Sequence, residues 1–444
     1  MIYCFRGITN KDLNPGVALN AANIVANMLK KEGHDYIIVG GDHRHSTPSL
    51  KLAAISGFIA GGLDVRDCGV IPTPVLALKV KALGRPGLMI TASHNPPEWN
   101  GLQFMEEDSH VFGPEQEEAV KSKFGDGLER TRFCEWDEFG TVSNLANPVG
   151  SYVEQVASGI RMGERKIKAV LDYGNGTACR VLPEICERIG VEIVELNDKL
   201  DGSFPARPSE PRCEHLGPLR EAVVSEKADV GIAYDGDADR FVVINESGEP
   251  VGGDRVLYYL AVARYQPGSG PLILDVTTSR GVENMLKKKG FEIVHSRIGQ
   301  TFLGDAVKEN NAVFAGEPNG HYMFPELSLH ADAIAATAYF CEFLSNRKET
   351  VSSLEKEFPE TCILREAMAP GLDLLSYTAR IEAFMKKRFE KVNKLHPHLF
   401  VAYTDDEKLV VRQSPFDSSI RVVAECRKRE DAENLLAMLK GILK

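Results

Sequence analysis

Long apolar runs are missing from this sequence. None approaches the ~18 residues needed to cross a bilayer, which excludes a helical membrane span. Blocks of lysine and arginine are missing too, and the formal net charge is -11. That balance excludes an extended nucleic-acid surface, though not a small cationic pocket for a phosphorylated metabolite. Cysteine pairs at metal or redox spacing are absent. The nine cysteines (Cys4, Cys68, Cys134, Cys179, Cys186, Cys213, Cys341, Cys362 and Cys426) form an odd, irregular set with no Cys-x-x-Cys. They read as small buried hydrophobes in a reducing compartment, not as a disulfide framework. No basic-then-apolar leader opens the sequence, so the expected location is cytoplasmic.

What is present fits a multidomain globular protein. The 444 residues exceed one core and call for three or four domains, and 43% hydrophobic with 26% charged residues is the usual soluble composition. Helical spacing at Val17, Ala21, Ile24, Val25 and Met28, with Pro15 before and Gly33 after, predicts a first helix. The run Tyr36 to Val39 predicts a buried strand, Thr47 begins a second helix, and strands and helices continue to alternate. That alternation signals α/β architecture with much parallel pairing. The turn-rich run from Gly140 to Pro148 predicts a first boundary, and the charged run Arg347 to Pro359 reads as a linker. Beyond it, a long amphipathic helix through Leu375, Ile381, Phe384 and Met385 and alternating strands at Leu409/Val411 and Ile420/Val422/Ala424 predict a small α+β domain. A helix carrying Leu435, Leu436, Met438, Leu439 and Ile442 closes it.

Two loops carry chemistry. Thr91 to Pro96 (TASHNP) leaves a short apolar strand, where α/β sheets place reactive groups. Taken alone, Ser93 is a nucleophile, a phosphate carrier or a turn residue. Adjacent residues rarely form a nucleophile–base pair, because the base must reach the hydroxyl across space, and the spacing fails the G-x-S-x-G elbow. The other loop holds Asp235, Asp237 and Asp239 between two apolar strands. Three alternate carboxylates converge on a hard cation if the backbone curls, and repel if it does not. An EF-hand is excluded, because Arg240 stands where its glycine belongs and Phe-Val-Val-Ile follows. An all-oxygen set with few protein ligands favours Mg²⁺, with room for water and a phosphate oxygen.

Together with Phe5-Arg6-Gly7, Gly41-Asp42-His43-Arg44, Pro72-Thr73-Pro74 and GEPNGH at Gly316–His321, these loops resemble the α-D-phosphohexomutase superfamily nearly end to end. The resemblance implies three related α/β domains with mixed sheets and a smaller C-terminal α+β domain around a central cleft. Its boundaries would be 1–147 with the phosphoserine loop, 148–248 with the metal loop, 249–353 with the sugar loop, and 354–444 with a phosphate loop. It implies that Ser93 carries a phosphoryl group and, with Asp235, Asp237 and Asp239, holds Mg²⁺. Arg240 and Arg6 would balance phosphate charge, and His94 and His321 are the candidates for proton transfer. Glu317, Asn319 and His321 would bind the sugar, and Arg412, Ser414 and Arg421 its distant phosphate. A hexose 1,6-bisphosphate would be activator and intermediate.

Glutamate–proline in the sugar loop and the short chain are most similar to archaeal-type phosphoglucosamine mutases. Phosphomannomutase and phosphoglucomutase are the alternatives, and a sugar-phosphate-binding protein with little turnover is the alternative of another class. The expected partner is a phosphosugar, in a monomer or homodimer. Three departures from the family pattern stand out. Gln103 and Thr301 replace lysines, and Pro415 and Phe416 interrupt the fourth-domain phosphate loop, where Ser418 or Ser419 would have to compensate. Each phosphate hydrogen bond lost there would weaken binding by ~1.5–3 kcal/mol.

Overall fold

The computed structural model describes residues 5–124, 132–368, 372–414 and 419–443. Four sheets follow one another along the chain. The first has six strands in the order Arg6–Ile8, Trp99–Met105, Gly87–Ile90, Tyr36–Gly41, Asp64–Val70 and Val142–Asn144. Its centre is parallel, and Trp99–Met105 runs antiparallel to Gly87–Ile90. The second sheet orders Pro250–Val251, Phe241–Asn245, Val230–Tyr234, Lys168–Asp172 and Glu192–Leu196. The third orders Ile293–Ser296, Leu272–Asp275, Phe314–Gly316 and Tyr322–Met323. Both again pair parallel strands with antiparallel additions, two in the second sheet and one in the third. The fourth is antiparallel throughout: Cys362–Ala367, Ile420–Cys426, Lys408–Gln413, Leu399–Tyr403 and Lys391–His396. The fold is thus three mixed α/β sheets followed by a smaller α+β unit.

Local chemistry accounts for the elements. Asn14 caps the helix Pro15–Lys31, its Oδ1 accepting the Val17 amide at 3.1 Å, with proline at the start where its missing N–H costs nothing. The buried Ala18, Ala21, Ala22 and Val25 face the core. The next helix, Thr47–Ala60, packs so closely that a Cβ on Gly57 would lie 2.2 Å from the Leu19 carbonyl oxygen. Asp332 likewise caps Ala333–Ser345 through the Ala335 amide at 2.8 Å. One continuous core joins the first three units, from Tyr36 and Ile38 through Tyr152, Tyr173 and Tyr234 to Leu274 and Phe340.

Three readings change. The charged run Arg347 to Pro359 is a packed segment: it contains the helix Val351–Glu355, and Val351, Leu354 and Phe358 are buried in the main core. Three apolar anchors among charged neighbours were enough to dock it. The helix predicted through Leu375 splits into a 3₁₀ turn, Leu374–Tyr377, and an α-helix, Thr378–Arg388, with Leu375 47% exposed. Met438, grouped with the apolar face of the closing helix Arg429–Ile442, is 49% exposed on its outer side.

Candidate active site

Three loops hold equivalent topological positions, each joining a buried strand to its antiparallel neighbour. They are TASHNP between Gly87–Ile90 and Trp99–Met105, DGDADR between Val230–Tyr234 and Phe241–Asn245, and EPNGH between Phe314–Gly316 and Tyr322–Met323. The topology carries them to one place. Ser93 Oγ donates to Asp235 Oδ2 at 2.6 Å, and Asp239 Oδ1 lies 3.3 Å away. Arg240 and His321 form an antiparallel bridge linking the second and third loops.

The backbone of the aspartate loop curls as a cation site requires. Ala238 takes a left-handed conformation (φ 62), a strained choice for alanine, and the three carboxylates bring ligand atoms within 4.8 Å of one another. All three are buried. Thr73 and Thr91 donate to Asp237 Oδ2 at 2.6 and 3.0 Å, while Asp237 Oδ1 is buried without a hydrogen-bond partner among the described residues. Burial and the neighbouring carboxylates push Asp235 well above the usual carboxylate range and Asp237 to about 7. Burial acts the same way on Asp239, but His321 and Arg240 outweigh it and hold that carboxyl well below. Buried mutual repulsion and an orphaned, inward oxygen fit a hard divalent cation bound by Asp235, Asp237 and Asp239.

Around this centre the cationic and imidazole groups interlock. Arg240 Nε donates to His321 Nε2 at 2.7 Å, and His321 Nδ1 lies 2.7 Å from Glu317 Oε2. His321 therefore spends both ring nitrogens orienting Arg240 and Glu317. Glu317 is wholly buried and also accepts from the Gly299 amide (2.5 Å) and Asn319 Nδ2 (3.1 Å). Burial opposes its ionisation, yet His321 and these donors hold it below its ordinary value. Gly320 permits the loop's closeness: φ is 101, and a Cβ there would meet the Phe241 carbonyl oxygen at 2.6 Å. Burial, then Arg240 and Arg6, push His94 well below 6.5, so its ring is neutral, with Nδ1 3.2 Å from Ser93 Oγ. Arg6 donates to Asn95 Oδ1 at 3.2 Å.

A cleft of about 1050 Å³ opens beside the sugar loop, lined by Pro318 and Asn319 on one side and by Arg412 and Arg421 on the other. Ser414 is buried at the head of the C-terminal loop, its amide bonded to the Ser419 carbonyl at 2.8 Å. The substitutions at Pro415 and Phe416 and the compensating Ser418 lie outside the described residues. Of the two replaced lysines, Gln103 meets buried His330 Nε2 at 3.3 Å, and the Thr301 carbonyl lies 3.1 Å from His110 Nε2. Burial drives His330 down to about 4.

Sequence reasoning missed what supports Ser93. Arg44, fully buried, donates to the carbonyls of Ser93, Asn95, Pro96 and Trp99 while its Nε pairs with Asp42 at 3.1 Å. Its signal was an arginine following Gly-Asp-His at a strand end; nothing local marked its partners.

A buried serine hydrogen-bonded to a carboxylate triad on three related α/β units fits a phosphoryl-transfer enzyme class. Family models for phosphoglucomutase/phosphomannomutase alpha/beta/alpha domains I, II and III match residues 3–130, 150–248 and 252–362. A probable phosphoglucosamine mutase from Methanopyrus kandleri is 32% identical over 434 residues, covering 97% of this chain and 94% of that one. A phosphoglucomutase/phosphomannomutase from Thermococcus kodakarensis is 31% identical over 441 residues, covering 98% and 95%. The crystal structure of a phosphoglucomutase/phosphomannomutase family protein from Burkholderia thailandensis has the same fold, with a TM-score of 0.87 at 24% identity over 100% of this chain and 98% of that one. The chain belongs to the phosphoglucomutase/phosphomannomutase family of the α-D-phosphohexomutase superfamily. No helix among the described residues is long and apolar enough to cross a membrane.

Proposed function

We propose that this phosphohexomutase is a cytoplasmic enzyme that interconverts glucosamine 6-phosphate and glucosamine 1-phosphate, with Ser93 as the phosphate carrier. The observation that carries the reading is the 2.6 Å contact of Ser93 Oγ with Asp235 inside the buried carboxylate triad. Asp235, Asp237 and Asp239 would hold Mg²⁺, which when bound offsets their repulsion and the charge of the transferring phosphoryl group. In the forward step the P–Oγ bond of phosphorylated Ser93 breaks as a P–O bond forms to the free hydroxyl of the hexose phosphate. The hydroxyl proton passes to neutral His94. The resulting 1,6-bisphosphate turns over in the cleft, and its other phosphoryl group returns to Ser93. Arg240 and Arg6 balance phosphate charge, Glu317 and Asn319 receive sugar hydroxyls through His321-oriented side chains, and Arg412, Ser414 and Arg421 grip the distal phosphate.

The near-equal similarity to the Thermococcus kodakarensis relative favours glucose or mannose phosphates as the second reading. Intact-mass analysis after incubation with glucose, mannose or glucosamine 1,6-bisphosphate and Mg²⁺ tests the core claim. One acid-stable phosphate mapping to Ser93, absent in Ser93→Ala, is the expected result, and no label from any of the three overturns it. Rates on the matching 1-phosphosugars then rank the substrates.

A further inference from the structure

Two adjacent strands of the C-terminal sheet carry two charged pairs on one face. Lys408 and Glu425 are Cα partners, and Arg412 and Arg421 are Cα partners four residues along. The two-residue period of a strand places all four on the same face. Val410 and Val423, partners between them, pack against Val276 of the third unit with Leu399 and Val401. Leu409, Val411, Val422 and Ala424 turn the other way, into the core of the C-terminal unit. One face is therefore built for docking, and its far end opens into the cleft at Arg412 and Arg421.

The near end is pegged into the third unit. Lys408 is 1% exposed, and its Nζ donates to the Thr278 carbonyl at 2.6 Å and to Glu283 Oε1 at 2.8 Å. Glu283 is fully buried and is shared with Arg280 Nη1 at 2.7 Å and His295 Nε2 at 3.1 Å. Glu425, also 1% exposed, accepts Ser279 Oγ at 2.7 Å and the Arg280 amide at 3.0 and 2.9 Å. Its carboxylate thus closes the N-terminus of the helix Arg280–Lys288, where backbone N–H groups and the helix dipole favour negative charge. Both pegs find their partners across the interface, on the segment Thr278–Glu283.

We infer that Lys408 and Glu425 are positioning residues for the distal-phosphate grip: they fix the tilt of the C-terminal sheet and so the placement of Arg412 and Arg421. This rests on the reading of those arginines as phosphate ligands. The lever is about 13 Å long, four residues of strand. A tilt of roughly 10° about the pegs moves the arginines by roughly 2 Å, and a 1 Å misplacement is enough to cost about a hundredfold at a positioned site. Apolar packing of Val410 and Val423 on Val276 holds the faces together but leaves rotation within the interface open; two directional, buried contacts close it.

The test measures calorimetric affinity for glucose 1,6-bisphosphate with Mg²⁺ in the full-length Ser93→Ala protein, which binds without turnover. Adding Arg421→Ala is expected to weaken binding at least 30-fold. Adding Glu425→Gln is expected to weaken it about 10-fold, and the combination of both to be no weaker than Arg421→Ala alone, because Glu425 acts through the arginines. An unchanged affinity in Arg421→Ala sinks the phosphate-grip reading. A loss in Arg421→Ala with parental affinity in Glu425→Gln, or fully additive losses in the combination, overturns the positioning role instead. Should Glu425→Gln fail to fold, Glu425→Asp carries the same comparison: it keeps the charge and shortens the reach, a three- to tenfold weakening supports the inference, and parental affinity overturns it.

Discussion

Arg44 Nη2 donates to the Ser93 carbonyl oxygen at 2.7 Å, and that bond supports the unusual backbone at Ser93. Ser93 sits at φ 48, in the left-handed region that costs a residue with a Cβ ~1 kcal/mol or more. Arg44 holds it there by gathering three further loop carbonyls, and Ser209 of the second unit donates to the same Ser93 oxygen at 2.8 Å. The strain keeps Oγ over the aspartate triad without asking anything of the side chain itself.

Arg44→Lys is therefore expected to lower kcat 10- to 100-fold and to slow phosphorylation of Ser93 by bisphosphate to a similar degree. An ammonium cannot reproduce the guanidinium fork toward Asp42 and four carbonyls. Leaving those buried acceptors short should also cost about 2–4 kcal/mol of stability. Single-turnover labelling and denaturant unfolding check the two effects separately. Labelling at the parental rate would show that the loop holds its shape without Arg44.

Asp235 and Asp237 give a pH dependence whose sign is fixed by the direction of their shifts. Asp237 is raised to about 7 and Asp235 is raised as well, so between pH ~4 and ~7 the folded protein binds more protons than the unfolded chain. Without a divalent cation, stability from these groups is greatest at low pH and declines as pH rises through that window. A bound cation needs the ionised carboxylates, so the stabilisation by Mg²⁺ should grow over the same range and its binding should release protons. Thermal melts with and without Mg²⁺ at pH 5.5 and 8 are expected to show the larger upward shift at pH 8. Asp237→Asn should remove most of that shift and most of the turnover. A cation-induced shift that is equal at both pH values would refute the triad as the site.

Much of the site was legible because its residues are neighbours in sequence. TASHNP, DGDADR and GEPNGH each put two or three candidate side chains on a single turn, and the apolar strands before them announced where the turns would sit. The contacts that hold the turns were not legible. Arg44 reaches 49 residues along the chain to Ser93, Thr73 reaches 164 to Asp237, and Lys408 reaches 125 to Glu283. No local pattern distinguishes such a buried cation or hydroxyl from a surface one. The fourth sheet was half read for a related reason. Lys391–His396 is exposed except at half-buried Val392 and His396, and Cys362–Ala367 carries Arg365 and Glu366, so neither shows the apolar rhythm of Ile420, Val422 and Ala424.

Glu317 accepts three hydrogen bonds while fully buried, so its charge and its shape are separable by mutation. Glu317→Gln keeps the volume but turns an acceptor into a donor facing the Gly299 amide or His321 Nδ1. The result should be a 10²-fold loss in kcat/KM, a KM raised at least tenfold, and a stability cost of about 1–3 kcal/mol. Asn319→Ala, which removes a Glu317 contact without creating a donor clash, should raise KM with a smaller effect on kcat. Parental kinetics in both variants would remove this loop from the sugar site.

The contact between Tyr152 and Asp332 separates architecture from chemistry. Tyr152 Oη donates to the two Asp332 carboxylate oxygens at 2.7 and 2.8 Å, tying the helix Pro148–Ser158 to the N-cap of the helix Ala333–Ser345. Both side chains are buried; they hydrogen-bond to each other, and Asp332 also accepts the Ala335 amide. Burial raises Asp332 to about 6, and Tyr152 is one of the donors opposing that rise. Tyr152→Phe removes the donor and leaves a more poorly solvated carboxylate, which should cost about 1–2 kcal/mol. It should also lift the Asp332 pKa further, so the loss of stability should be larger at pH 8 than at pH 5, where Asp332 is protonated in both proteins. Activity with Mg²⁺ at 25 °C should remain within twofold of the parent. A kcat loss of tenfold in a folded Tyr152→Phe protein would mean that this junction transmits to the phosphoserine loop instead of only holding the second and third units together.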